Sequence, residues 1–296
     1  MNKVNAYDVL GSVAVVRFPS DFRKSDRKKW AERLLRKNKS IKTILEKKGK
    51  IKGRLRKIST SYVAGERTKE VLYRENDCVF RFNLDKTYFS PRLSNERKEI
   101  AGKIKKGEKV LVMFAGVAPF SIVLARKSKA GLVFSNEINR EANKYAEMNI
   151  ELNKVKNKVF LLPGDIKKVA EKISKSTTIP TTFHQAGIVN NKIITSNIIN
   201  LKKSSNDKKI PQKFDVIVMP RPQLKETFLK QAFELSKKGT RIYYYDFCKI
   251  TEKDLIVEKI KKEAKKFGKK IKILQVKNAG EIAPYKVRVR VDFEIV

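Results

Sequence analysis

The chain has 296 residues, 41% of them hydrophobic, with 69 Lys and Arg against 31 Asp and Glu, a formal net charge of +38. That is enough for one large or two modest domains with a buried core, and the excess of cations costs stability by self-repulsion, so it points to a polyanion: RNA, DNA or a membrane surface. Two distant cysteines, Cys78 and Cys248, and one histidine, His184, argue against a zinc site, a Ser-His-Asp triad and a disulfide framework; no stretch approaches a membrane span or a signal peptide, and a cytoplasmic location is expected.

In chain order, Tyr7–Phe18 alternates and is rich in Val, which predicts one strand kinked at Gly11. Lys24–Lys37 places Trp30, Leu34 and Leu35 on one helical face. Ile41–Leu45 is a short apolar piece, Arg54–Val63 and Lys69–Tyr73 predict strands around a Gly65 turn, and Val79–Phe82 predicts another that Thr87–Phe89 extends. Residues 1–85 therefore read as a small α+β unit. Ser94–Ile104 is helical in pattern. From Lys109 strands and helices alternate: strands at Val110–Met113, Leu132–Ser135, Val159–Leu162, Asp215–Met219 and Arg241–Phe247, helices at Phe120–Lys127, Asn139–Asn153, Ile166–Ile173, Leu224–Leu235 and Asp254–Phe267. Such alternation gives a mostly parallel sheet with helices on both faces. Ile271–Lys277 and Tyr285–Val296 close the chain as two strands, the last alternating as an antiparallel edge strand would. The interval 174–213 is too long for an ordinary connection: either Ile188–Ile199 forms a hairpin or strand with its turn at Asn190–Asn191, or the interval is a mobile insertion; His184 in it reads as a solvated loop residue.

Three strand ends carry the chemistry. After Val110–Met113 comes a small-residue turn, Ala115 and Gly116, then a helix start, where backbone can approach a ligand closely. About 20 residues on, Glu137 ends the second strand, a carboxylate suited to ribose hydroxyls. Gly164–Asp165 ends the third. One glycine is a weak signal; the ordered set of Gly116, Glu137 and Asp165 points to a nucleoside ligand at the edge of a doubly wound sheet.

Tyr88–Arg97 (YFSPRLSNER), Phe114–Ile122 (FAGVAPFSI), Glu137–Val155, Gly164–Asp165, Met219–Pro222, Tyr245–Phe247 and Gly280–Phe293 together resemble the archaeal class I tRNA (guanine-37, N1) methyltransferases, including their wyosine-pathway relatives. The resemblance runs from about Tyr7 to the end, so the further N-terminal domain common in that family is expected to be absent. It implies a Rossmann-like class I methyltransferase sheet of seven strands, the last pair antiparallel, over residues 86–296. It implies an RNA-facing role for residues 1–85, S-adenosyl-L-methionine as cofactor, and metal-free SN2 methyl transfer to N1 of a guanine next to the anticodon. The implied partner is the anticodon stem-loop of tRNA, bound by a monomer. By the same resemblance Glu96 is the general base and Arg56 the partner of guanine O6, with Arg54 the neighbour most easily confused with it. Tyr88, Arg92 and Arg97 shape the cofactor and base pockets, Glu137 holds ribose, and Asp165 with Ile166 the adenine end. Phe114, Gly116, Pro119, Phe120, Ile138, Met219 and Pro220 complete the implied cofactor contacts. Read as bare residues, Arg92 and Glu96 also fit an i,i+4 surface pair, and Phe114 and Phe120 fit a core. Val112, Ala118 and Pro220-Arg221-Pro222 depart from the family's pattern. The alternatives are a wyosine-pathway enzyme adding a methyl or an aminocarboxypropyl group at the same base, a ribosomal RNA methyltransferase, and a non-catalytic RNA-binding protein on this fold.

Overall fold

A computed structural model describes residues 4, 6–53, 55, 57–175, 188–189, 192–193, 210–220 and 226–296. It opens with a four-stranded sheet in the order β1-β2-β3-β4: β1 (Tyr7–Leu10), β2 (Val13–Val16), β3 (Thr43–Lys52) and β4 (Lys57–Gly65). Helix α1 (Lys24–Lys37) makes the crossover between the parallel pair β2 and β3, and packs Ala31, Trp30, Leu34 and Leu35 on one face of the sheet. The single kinked strand expected over Tyr7–Phe18 is instead a hairpin, with Leu10 paired to Val13. Gly11 allows the reversal: its φ is +57°, and a Cβ there would lie 2.1 Å from the Leu72 carbonyl oxygen.

Strands β5 (Glu70–Glu75) and β6 (Cys78–Asn83) form a separate hairpin, turned by Asn76 and Asp77, both at positive φ. Thr87–Phe89 does not continue it; the chain turns back there, Thr87 bonding to the Asn83 carbonyl. A short 3-10 turn, Pro91–Leu93, leads into α2 (Ser94–Lys103).

The remainder is β7 (Lys109–Val112), α3 (Pro119–Lys127), β8 (Leu132–Glu137), α4 (Arg140–Leu152), β9 (Val159–Pro163), α5 (Ile166–Lys175), β10 (Ile188–Val189), β11 (Lys192–Ile193), β12 (Phe214–Met219), α6 (Leu229–Glu234), β13 (Ser236–Lys249), α7 (Lys253–Lys266), β14 (Ile271–Ala283) and β15 (Lys286–Ile295). β10 and β11 pair antiparallel, as the hairpin expected in the 174–213 interval; its turn residues and His184 lie outside the described residues. The other strands form a seven-stranded sheet, β14-β15-β13-β12-β7-β8-β9, parallel from β13 to β9 and antiparallel over β13, β15 and β14. The α/β class and the antiparallel final pair are as the sequence predicts.

Alternate residues divide between two layers. Val110 and Val112 face one core with α3 and α4, whereas Leu111 and Met113 face the other with α5, α6 and α7. Two expectations fail. Among the described residues, the helix expected over Leu224–Leu235 runs only from Leu229 to Glu234, because Phe228 adopts φ +56° and breaks it. The last strand is not an edge: β15 lies between β13 and β14, and Arg288, Arg290 and Asp292 on it are buried. Alternation of charge and apolar residues signals two different faces, and here the charged face is covered by α2 rather than by water. The true edge, β14, shifts register against β15 at three places.

The β5–β6 hairpin is tied to α4 by two asparagines one turn apart. Asn149 and Asn153 each accept from and donate to the backbone of β6, at Arg81 and Val79 respectively, over 2.6–3.1 Å. Asn149 also donates to the Val117 carbonyl at 3.1 Å. These side chains do for β6 what a neighbouring strand would do. Asn149→Leu leaves the Arg81 N–H and the Arg81 and Val117 carbonyls without this partner and is expected to cost about 3 kcal/mol in denaturant unfolding.

Candidate functional site

Parallel strands leave in opposite directions on either side of β7, which neighbours both β8 and β12; ligands of such sheets bind beyond the carboxyl ends at this switch point. The loop leaving β7 alternates through left-handed residues, Phe114 (φ 57°), Gly116 (φ 60°) and Ala118 (φ 65°), before Pro119 starts α3. A Cβ on Gly116 would sit 3.2 Å from the Tyr88 carbonyl oxygen, so the loop and the Tyr88 segment are pressed together.

Glu137, 6% exposed, closes the loop from the end of β8. Its Oε2 accepts from the Gly116 amide and its Oε1 from the Asn139 amide, each at 2.8 Å. A carboxylate has about four lone-pair positions, so two remain for hydroxyls of a ligand. Asn139 caps α4 by accepting from the Glu141 amide, and half-buried Ile138 stands between the two. Asn136 ties β8 to the end of β9 through the Leu162 and Gly164 carbonyls. Beyond them Asp165 caps the first turn of α5 through the Lys167 amide, and Ile166 is buried in the core. Met219 is buried at the end of β12, followed by half-buried Pro220. Phe114 meets Phe228 edge-on at 5.1 Å, and Phe120 is a core residue. Tyr88, Phe114, Gly116, Glu137, Asp165, Met219 and Pro220 are thus gathered along one rim.

The two arginines beside this rim are placed differently. Arg92 is exposed on the 3-10 turn with Asp8 of β1 at 3.8 Å, and does not pair with Glu96. Arg97 is buried: its guanidinium grips Glu75 of β5 in a two-pronged pair, donates to the Ser90 carbonyl at 3.0 Å, and lies over the Phe89 and Phe120 rings. It is a strut between the β5–β6 hairpin and α2. Arg54 and Arg56 lie outside the described residues.

Glu96 is 5% exposed and enters a charge cluster that composition and spacing did not single out. Its Oε2 accepts from the Tyr245 hydroxyl (2.8 Å) and from Arg290 (2.6 Å), and Lys277 lies 3.1 Å from Oε1. Arg290 also binds Glu99 and Asp292, Lys277 pairs with Glu99, and Lys103 lies at 3.3 Å from Glu99 and 2.8 Å from Asp292. Three acids, Glu96, Glu99 and Asp292, thus face three bases. Burial raises the Glu99 carboxyl, but Arg290, Lys277 and Lys103 outweigh it and hold it at about 2. Burial and the Glu96 charge push the Tyr245 phenol well above its ordinary range. The available signal was the charged face of β15 matched to Glu96, Glu99 and Lys103 on α2. Among the described residues no group of acids, cysteines and histidines could hold a metal ion.

The sequence matches the TRM5/TYW2 methyltransferase domain over residues 71–187. It is 31% identical over 293 residues to the tRNA (guanine(37)-N(1))-methyltransferase Trm5b of Pyrococcus abyssi, covering 98% of this chain and 74% of that protein. It is 32% identical to the tRNA (guanine(37)-N(1))/4-demethylwyosine(37)-methyltransferase Taw22 of Nanoarchaeum equitans, covering 98% and 100%. The crystal structure of wild-type Trm5b from P. abyssi superposes with a TM-score of 0.76 at 30% identity, over 99% of this chain and 75% of that one.

The Arg97–Glu75 pair has a direct test. Arg97→Met leaves a buried carboxylate alone and is expected to lower unfolding stability by about 3–5 kcal/mol, and Glu75→Leu in the same chain to restore much of it.

Proposed function

The chain belongs to the TRM5/TYW2 methyltransferase family, and on that premise we propose that it methylates N1 of the guanine at position 37 of tRNA. The methyl donor is S-adenosylmethionine, whose sulfonium makes the methyl group electrophilic. The rim fits such a nucleoside: Glu137 keeps acceptor positions for the ribose hydroxyls, and the Gly116 loop presents backbone close to the ligand. The observation that carries the reading is a carboxylate, Glu96, held beside Tyr245, one residue past the last β12–β13 pair and so level with this rim. Glu96 takes the N1 proton, which is feasible for a carboxylate only if charge developing on O6 is stabilised at the same time; Arg56 is assigned that part. The target base leaves its stack to reach the site. Residues 1–85 face the RNA, residues 86–296 hold the donor, and the monomer engages the anticodon stem-loop of tRNA through phosphate contacts of its many cations.

A second reading rests on the Taw22 relative, matched along its whole length and named for methylating 4-demethylwyosine as well. The same pocket then accepts a modified guanine at the same position.

Incubation with transcripts bearing G or A at position 37, read by mass spectrometry, is expected to show one added methyl on the G form alone. A larger adduct, or equal labelling of both, would refute the assignment. Glu96→Gln is expected to lower the rate about 10²–10⁴-fold with donor affinity unchanged by calorimetry. Affinity for tRNA is expected to fall more than about tenfold between roughly 50 and 200 mM salt in a filter-binding series.

A further inference from the structure

Glu96 is not a free carboxylate. Tyr245 stands directly opposite Arg290 in the β13–β15 pairing, and Arg290 directly opposite Lys277 in the β14–β15 pairing. Three donors thus form a row across three adjacent strands, and the Glu96 carboxylate from α2 lies over it. Oε2 has both lone-pair positions occupied, by the tyrosine hydroxyl and the guanidinium. Oε1 accepts only from Lys277 among the described residues and keeps one position.

We propose that the row Tyr245, Arg290 and Lys277 is a positioning cradle for the base: it holds the Glu96 carboxylate in place and orients Oε1 as the oxygen that takes the proton. This deepens the proposed function and rests on it. In the step, the N1–H bond breaks with its electron pair left on the guanine, and the proton passes to Oε1 to give a neutral acid. Among the described residues the charges facing Glu96 then no longer balance: Arg290, Lys277 and Lys103 stand against Glu99 and Asp292, while Arg97 on the same helix is committed to Glu75. The net positive charge drives the proton off to water and restores the carboxylate for the next turnover.

The sign of the test follows. Removing a cation from a carboxylate makes it easier to protonate, so the pH at which the base is lost moves up. Single-turnover methyl transfer against pH, with the full chain and a tRNA transcript, is expected to shift its acid limb upward by about one unit in Lys277→Met. On that limb the rate falls about tenfold relative to the variant's own plateau. Lys277→Arg restores the limb, and Tyr245→Phe moves it the same way by less. Lys277 is partly exposed, so its variants are expected to fold; thermal melts check this. A Lys277→Met limb that superimposes on the wild type, at whatever plateau, overturns the cradle. Wild-type protein that leaves every transcript unmethylated instead overturns the proposed function. In that case carbon-13 titration of the labelled Glu96 carboxyl still decides the cradle: it requires a midpoint higher in Lys277→Met, and an equal one refutes it.

Discussion

A guanidinium sealed inside a protein must be neutralised, and Arg290, fully buried, sets that requirement for the whole carboxyl-terminal half of the chain. Desolvating one such ion costs several kcal/mol unless geometry and hydrogen bonds compensate. Compensation here comes from Glu99 and Glu96 on α2 and Asp292 two residues along its own strand. The helix can supply these acids only if it lies across β15, and β15 can be buried only if β14 flanks it outside. The position of α2, the order of the last strands and the site of Glu96 are therefore consequences of one buried cation. Replacing the cluster by apolar residues would in general be no less stable. Its retention accords with a use for the charges beyond folding.

The other half of the site is organised by backbone rather than by ion pairs. Glu137 accepts from amides on two different loops, which fixes the end of β8 against the start of α3 and of α4. Asn136 does the same between β8 and β9. These bonds join the rim's loops without help from a ligand, the arrangement that lowers the entropy lost on binding. Arg97 with Phe89 and Phe120 links this frame sideways to the β5–β6 hairpin.

The strand-helix alternation from Lys109 onward was legible because β7, β8, β9 and β12 are short apolar runs, largely buried, separated by segments of helical pattern. The placing of Gly116, Glu137 and Asp165 beyond strand ends was legible from where those apolar runs stop. What was not legible depends on partners distant in sequence. Tyr7–Phe18 contains a reversal that only the Leu72 backbone pressing on Gly11 reveals. Arg97 resembles a pocket residue until Glu75 is seen beside it. The charged face of β15 pointed to solvent because a strand pattern reports that two faces differ, not what covers each. Asn149 and Asn153 looked like ordinary polar positions on a helix, and their task becomes visible only with β6 alongside.

Every open sheet has a border where unsatisfied amides and carbonyls invite another chain. In the seven-stranded sheet β14 and β9 form the two borders; β14 is thirteen residues long, and its three slips of register against β15 have an effect beyond local geometry. Each slip turns the strand about its own axis and interrupts the even spacing that an incoming strand would need to zip along it. Lysines 272 and 277 add like-charge repulsion for an identical copy. For a chain with a net charge of +38, whose proposed partner is a long polyanion, these features oppose edge-to-edge pairing between copies brought close together.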